Sequence, residues 1–101
     1  METVFHKSKE FRAGTHDMPY PFTVETAELY RKEGVDAACV LMVAIYAGND
    51  AEGICVFHIK TNQLMHTMLA PFTLPAGKYF VVAPNCGVVF HGTTPFTGYY
   101  A

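Results

Sequence analysis

A chain of 101 residues has room for one domain and one hydrophobic core, a size at which oligomerisation commonly supplements a thin stability margin. Half of the residues are hydrophobic and 16% are charged, well under the roughly 25% of an average soluble protein. The formal net charge of −2 provides neither a basic field for nucleic acid nor a polybasic patch for anionic lipid, so both partners are excluded.

Met1 to Val4 has no charged lead-in followed by an apolar core, so no secretory signal is expected. The longest apolar run, Ala37 to Ala47, is too short to span a bilayer as a helix, and the expectation is a soluble chain made in the cytoplasm. Thr3 to His6 reads as a short strand. Lys7 to Asp17 is polar and mixed in charge, and Gly14 and Asp17 mark it as a loop or arm. Pro19 and Pro21 bracket Tyr20 and impose an extended segment. Residues 1–21 are thus expected as a strand and extended arm, and 22–101 as a single β-sandwich domain.

Residues 22–33 are ambiguous. Thr26 to Glu33, closed by Gly34, has the marks of a two-turn helix, whereas the alternation of Phe22, Val24 and Thr26 favours a strand, which is the reading adopted. Ala38 to Tyr46 is continuous and β-branched, as in a central strand buried on both faces. Gly48 to Gly53 carries the turn chemistry to reverse the chain into Ile54–Lys60, giving a hairpin with a six-residue loop. Thr61 to Gln63 is a turn and Leu64 to Leu69 a further strand, with Ala70-Pro71 breaking the pattern. Pro75-Ala76-Gly77 turns into the strand Lys78–Ala83. Pro84 to Gly87 turns again, Gly87 supplying the left-handed conformation, and Val88 to His91 pairs back. Gly92 to Pro95 interrupts, and Phe96 to Tyr100 closes an edge. These intervals describe an all-β fold: a small antiparallel β-sandwich or jelly roll of about seven to eight short strands with an N-terminal extended arm.

Charge is unevenly distributed. Residues 1–36 hold seven acidic and five basic side chains, whereas 37–101 hold Asp50, Glu52, Lys60 and Lys78 alone. A free monomer interleaves charge on its outward strand faces. Here Thr, His, Asn, Gln, Tyr and apolar groups take those positions, so either the N-terminal third wraps over the sheet or another protein surface covers it.

Candidate chemistry is sparse. His58, His66 and His91 fall on three strands and form the one conceivable metal set, as in a cupin-like enzyme, but His58-Ile59-Lys60 lacks the His-x-His pair and Phe80 stands where the second cupin motif needs histidine. Cross-strand polar packing is the better reading, and no metal or cofactor is assigned. Cys39, Cys55 and Cys86 include no CxxC pair and read as buried apolar thiols. A Cys86–His91 nucleophile pair lacks the electropositive surroundings that a thiolate needs. Asn49, Asp50 and Glu52 offer too few oxygen ligands for calcium and serve to solvate the loop. Tyr46, Tyr79 or Tyr99 would stack a sugar if exposed, giving a sugar-binding module as a further alternative. No catalytic residue is assigned, and the chain is expected not to be an enzyme.

Val43-Ala-Ile-Tyr-Ala-Gly48 with Gly53 closing the loop, Ala70-Pro-Phe-Thr-Leu-Pro-Ala-Gly77, and Lys78-Tyr-Phe-Val-Val82 together resemble a small β-domain of tailed-bacteriophage structural proteins. The resemblance covers Val40 to Gly92 and implies a virion component, such as a head-decoration or fibre-associated protein, located in the virion and made in the host cytoplasm. Its implied partners are its own copies, as in a trimer, and a capsid or other virion protein. A charge-poor sheet without a catalytic constellation suits that use.

Overall fold

The computed structural model describes residues 3–64 and 66–98, with backbone alone for 66–68. Eight strands follow in order: β1 (Phe5–Phe11), β2 (Gly14–Met18), β3 (Phe22–Arg31), β4 (Leu41–Ala47), β5 (Cys55–Thr61), β6 (His66–Leu74), β7 (Gly77–Val82) and β8 (Cys86–Thr94). They form two four-stranded antiparallel sheets, ordered β1-β8-β3-β6 and β2-β7-β4-β5. The pairs β1·β8, β2·β7, β3·β6 and β4·β5 describe one long hairpin, with the Gly48–Gly53 loop at its tip, rolled over so that alternate rungs fall in opposite sheets. That is the eight-stranded jelly roll.

The expected sandwich is what forms, and residues 22–31 are strand. Several local expectations are corrected. Lys7 to Asp17 does not hang as an arm: it supplies most of β1 and all but the last residue of β2, one strand to each sheet. Its alternation is disguised because Lys7 and Lys9 occupy positions on the Phe5 and Phe11 side of β1, where long aliphatic stems cover apolar surface. The charged N-terminal third is therefore part of both sheets and not a cover laid over one of them.

Pro71 does not end its strand. β6 is a sheet edge, and the β3·β6 register shifts between Val24 and Thr26, so the missing N–H falls where an irregular edge tolerates it. β8 likewise runs through Gly92 to Thr94. Gly87 does not adopt a positive φ, and Pro84-Asn85 carries the chain across to the other sheet instead of making a β7–β8 hairpin. Glycine at 87 has a different use: it lets the Tyr30 ring, whose hydroxyl donates to Glu10, lie directly over β8 where a Cβ would meet it. The strand expected from Ala38 begins at Leu41, and Phe96 to Gly98 is irregular. Met65, Tyr99 and Tyr100, in two of the expected strands, lie outside the described residues.

Between the sheets lie Phe11, Met18, Phe22, Val24, Leu29, Leu41, Val43, Ile45, Leu74, Val81, Val88 and Phe90, all buried. Phe90 is the hub. Its ring meets Phe57 edge-on at 5.0 Å, Phe11 at 5.5 Å and Phe72 at 6.1 Å, so one residue of β8 joins side chains from β1, β5 and β6 and spans both sheets.

One polar contact is built into the β1/β2 side of this core. Lys9 is 3% exposed, with its ammonium 5.2 Å over the Phe11 ring and 3.3 Å from His16 Nδ1. His16 Nε2–H donates to the Arg12 carbonyl at 2.7 Å, which leaves Nδ1 as the acceptor for Lys9. Burial holds both groups below their ordinary pKa values of 10.5 and 6.5, and a protonated His16 would turn an N–H towards the ammonium. The unfolded chain therefore takes up the His16 proton at a higher pH than the folded one. Stability from this group is complete above the unfolded value near 6.5 and declines as pH falls towards the lower folded value. Thermal melts from pH 8 to pH 5 should show the wild type losing several degrees more than His16→Gln, whose amide carries no proton in that window; parallel curves would remove His16 as the cause.

Candidate functional site

The two outward faces of the sandwich differ in chemistry. On the β1-β8-β3-β6 sheet, strand alternation turns outward His6, Ser8 and Glu10 from β1, Val89, His91 and Thr93 from β8, and Thr23, Thr26, Glu28 and Tyr30 from β3. This is an ordinary polar surface. Ser8 and His91 are direct cross-strand partners joined at 2.7 Å through Oγ and Nδ1, and Thr23 bonds Thr73 at 2.9 Å in the same manner.

A hollow of about 590 Å³ opens on this face, lined by His6, Lys7, Ser8, Glu25, Thr26, His91 and Gly92. Its cause is a bulge: Val24 pairs with Gly92 and Thr26 with His91, which leaves Glu25 as an extra, exposed residue of β3. The lining offers hydroxyl, imidazole and carboxylate groups to a small polar ligand. Sequence reading missed His6, Ser8 and Glu25, and the alternation of His6 with Ser8 was the only available signal.

The β2-β7-β4-β5 sheet presents the opposite character. On its two central strands the outward residues are Phe80 and Val82 on β7 and Met42, Ala44 and Tyr46 on β4, with register pairs Tyr46↔Phe80 and Ala44↔Val82, and the edge strands add Thr15 on β2 and His58 on β5. Ala44 faces outward, yet its neighbours close over it and leave it 2% exposed. Charge lies at the rim: Asp17 on β2 with Lys78 at one corner, Lys60 on β5 at another, and Lys32 at the end of β7. Beside Phe80 and Val82 a groove of about 290 Å³ is lined also by Ala13, Gly14, Ala83 and Pro84 and by Lys32, whose ammonium donates to the Ala83 carbonyl at 2.8 Å. These four strands carry no central charge on their solvent side, although β6 and β8 of the charge-poor half lie in the other sheet and β2 of the charged third lies in this one.

The expected candidates are dispersed. His58 is exposed on the outward side of β5, whereas His91 and the backbone of His66 belong to the other sheet, on β8 and on the β6 edge with β3 between them. The side chain of His66 lies outside the described residues. Among the described residues, no three His, Cys, Asp or Glu side chains gather as metal ligands. Cys86 is fully buried and faces inward from β8, the side opposite His91. Burial raises its pKa, and its thiol donates to the Met42 carbonyl at 3.5 Å, so the pair considered as nucleophile and base does not meet. Cys55 departs from the buried-thiol expectation and is exposed on the β5 edge; Cys39 is half-buried.

Asp50 Oδ1 accepts from the Glu52 N–H at 3.0 Å and shapes the hairpin loop. Tyr79 faces the core and donates its hydroxyl to the Pro75 carbonyl, so it cannot stack a sugar. Tyr46 is half-buried on the apolar face, and Tyr99 is outside the described residues.

Fold and surfaces thus define an eight-stranded jelly-roll domain with one polar and one apolar outer face. No protein-family model matches the chain, and neither does any curated protein.

Proposed function

We propose that the chain is a non-enzymatic structural protein that assembles through a charge-poor β surface, as a bacteriophage virion component of the capsid-decoration or fibre-associated kind. The observation that carries the assembly reading is the outer face of the β2-β7-β4-β5 sheet, where Met42, Ala44, Tyr46, Phe80 and Val82 form an uncharged stretch. An antiparallel sheet with one face on the core carries polar groups on the other when that other face meets water. The virion assignment rests on the resemblance from Val40 to Gly92. A jelly roll also suits the assignment as an architecture, since viral capsid domains use it, although lectins and cupins use it too.

Size-exclusion chromatography with light scattering at micromolar concentration tests the reading. The expected result is a discrete homo-oligomer, and a clean monomer across the accessible concentration range overturns assembly. The hollow around Ser8, Glu25 and His91 favours a second reading, a small-ligand-binding β module, which predicts a soluble monomer instead.

A further inference from the structure

We propose that the open side of the sandwich, where the edge strands β5 and β6 lie over one another, is closed by the same side of a second copy of this chain, with β5 pairing to β5 about a two-fold axis. The inference rests on the assembly reading above and gives it a contact apart from the apolar outer face.

A two-sheet sandwich has two open sides, and this sequence treats them differently. At the β1/β2 side the core ends on Lys9, which is buried, and on His16, whose ring packs edge-on against Phe11 at 5.1 Å. At the β5/β6 side the core ends on apolar groups instead. Val56, Phe57 and Ile59 of β5 and Leu69 and Phe72 of β6 are all half-buried there, with the Phe57 and Phe72 rings stacked across the gap at 6.1 Å. Ile54 and Leu64, just beyond either end of β5, are 78% and 56% exposed.

The strand edges carry the same asymmetry. An edge presents unpaired N–H and C=O groups and is ordinarily protected against further pairing. β1 points Lys7 and Lys9 inward, β2 is the shortest strand at five residues, and β6 carries Pro71 beside a register shift. β5 is seven residues long without proline or an inward charge. Its extra residue, Val56, sits near its start and leaves Phe57–Thr61 regular.

An unprotected edge is satisfied by another strand. Among the edges that copies of this chain offer one another, β5 is the one left open, so the pairing joins β5 to β5 and is isologous. Side chains fix the register. Phe57 and Ile59 face inward, opposite Ile45 and Val43, whereas His58 and Lys60 face outward. An antiparallel pair centred on His58 sets Phe57 of each copy against Ile59 of the other, and the two cores become continuous. A slip of one residue would set inward side chains against outward ones. The same register holds the two Lys60 residues four positions, about 14 Å, apart along the strand. That distance exceeds a screening length of about 8 Å, so the one ammonium of β5 does not oppose its own image.

A seam about 24 Å long and about 10 Å deep covers roughly 240 Å² in projection on each copy. This is smaller than a standard interface, so the expected product is a reversible dimer with a Kd on the order of 10–100 μM.

Hydrogen exchange of the full chain at about 5 to 500 μM, beside sedimentation velocity, locates the contact. As the dimer fills, the amides of Phe57–Thr61 should slow about threefold or more, while those of β2, the other edge of the same sheet, keep their rates. Cross-linking reads the register. In a Cys55→Ser background, His58→Cys places a thiol on the axis and Lys60→Cys places one about 14 Å from its image. Both positions are exposed, so the fold is kept. With oxidised glutathione, the first variant should form a disulfide-linked dimer at least about tenfold faster than the second.

An oligomer whose β5 amides keep their monomer rates, or cross-linking no faster from position 58 than from position 60, would overturn this contact while leaving assembly through the apolar outer face intact. A chain that stays monomeric at every concentration overturns the assembly reading as well.

Discussion

Replacing Phe90 with alanine should cost about 3–5 kcal/mol of unfolding free energy, the range for removing a buried phenylalanine that leaves a cavity. The upper part of that range is expected, because the ring contacts Phe11, Phe57 and Phe72 from three other strands and its loss leaves a void between the sheets. Edge-to-face contacts at 5.0 and 5.5 Å add to the loss of burial. For a domain with the usual stability of about 5–15 kcal/mol, such a change leaves little folded protein at moderate urea. Urea titration with an unchanged slope and a large drop in midpoint is the expected signature. A midpoint within 1 M of wild type, equivalent to about 1–3 kcal/mol at a typical slope, would show that the neighbouring rings close the void.

Gly92→Ala should be comparably disruptive although it adds a single methyl. A Cβ at 92 would lie 1.8 Å from the Thr23 carbonyl oxygen and 2.9 Å from its carbon, atoms of the β3 backbone that cannot rotate away as a side chain can. Val24 pairs with Gly92 immediately before the Glu25 bulge, so relief requires β3 and β8 to separate where the register changes. A loss of about 3 kcal/mol or more is expected, in the tail reserved for overpacking and strain. The same substitution at Gly48, where a Cβ meets nothing within 4 Å, brings only the strain of a positive φ. Comparing the two melting temperatures separates steric collision from backbone strain: equal losses would contradict the close approach at 92.

The sandwich was legible because turn residues punctuate the chain, and the β4–β5 hairpin with its six-residue loop was read directly from Gly48-Asn-Asp-Ala-Glu-Gly53. β1 and β2 were not legible. Their inward positions include Lys7, Lys9 and His16, polar residues that break the alternation: Lys9 meets His16 across the β1–β2 connection at 3.3 Å, and Lys7 donates to the distant Thr97 carbonyl at 3.0 Å. Pro71 reads as a strand end because its tolerance depends on lying at an edge, and edge position is a property of the assembled sheet.

The site was legible in composition and hidden in location. Scarcity of charge after Asp36 announced an uncovered surface, but alternation within a strand does not reveal which sheet the strand joins. The consequence is plain for the histidines: His58 and His91 are similar residues in similar strands, yet the rolled topology sends them to different sheets. That topology is what gathers Ser8, Thr23, Thr26 and His91 on one outer face and Phe80, Val82, Met42 and Tyr46 on the other.

The rolled hairpin also sets an order of events for the newborn chain. β1 pairs along its whole length with β8, Phe5 opposite Thr94 and Phe11 opposite Val88, so within this domain β1 waits for a strand made some eighty residues later. Its other flank is a sheet edge, and until β8 emerges β1 has no ladder to join. The tip, β4 with β5, is the pairing that closes locally and early. Folding of this kind, dominated by contacts between distant parts of the chain, belongs to the slow end of the range for domains of this size. During that delay β4, apolar and rich in branched residues, has β5 beside it but waits for β7 to cover its other flank.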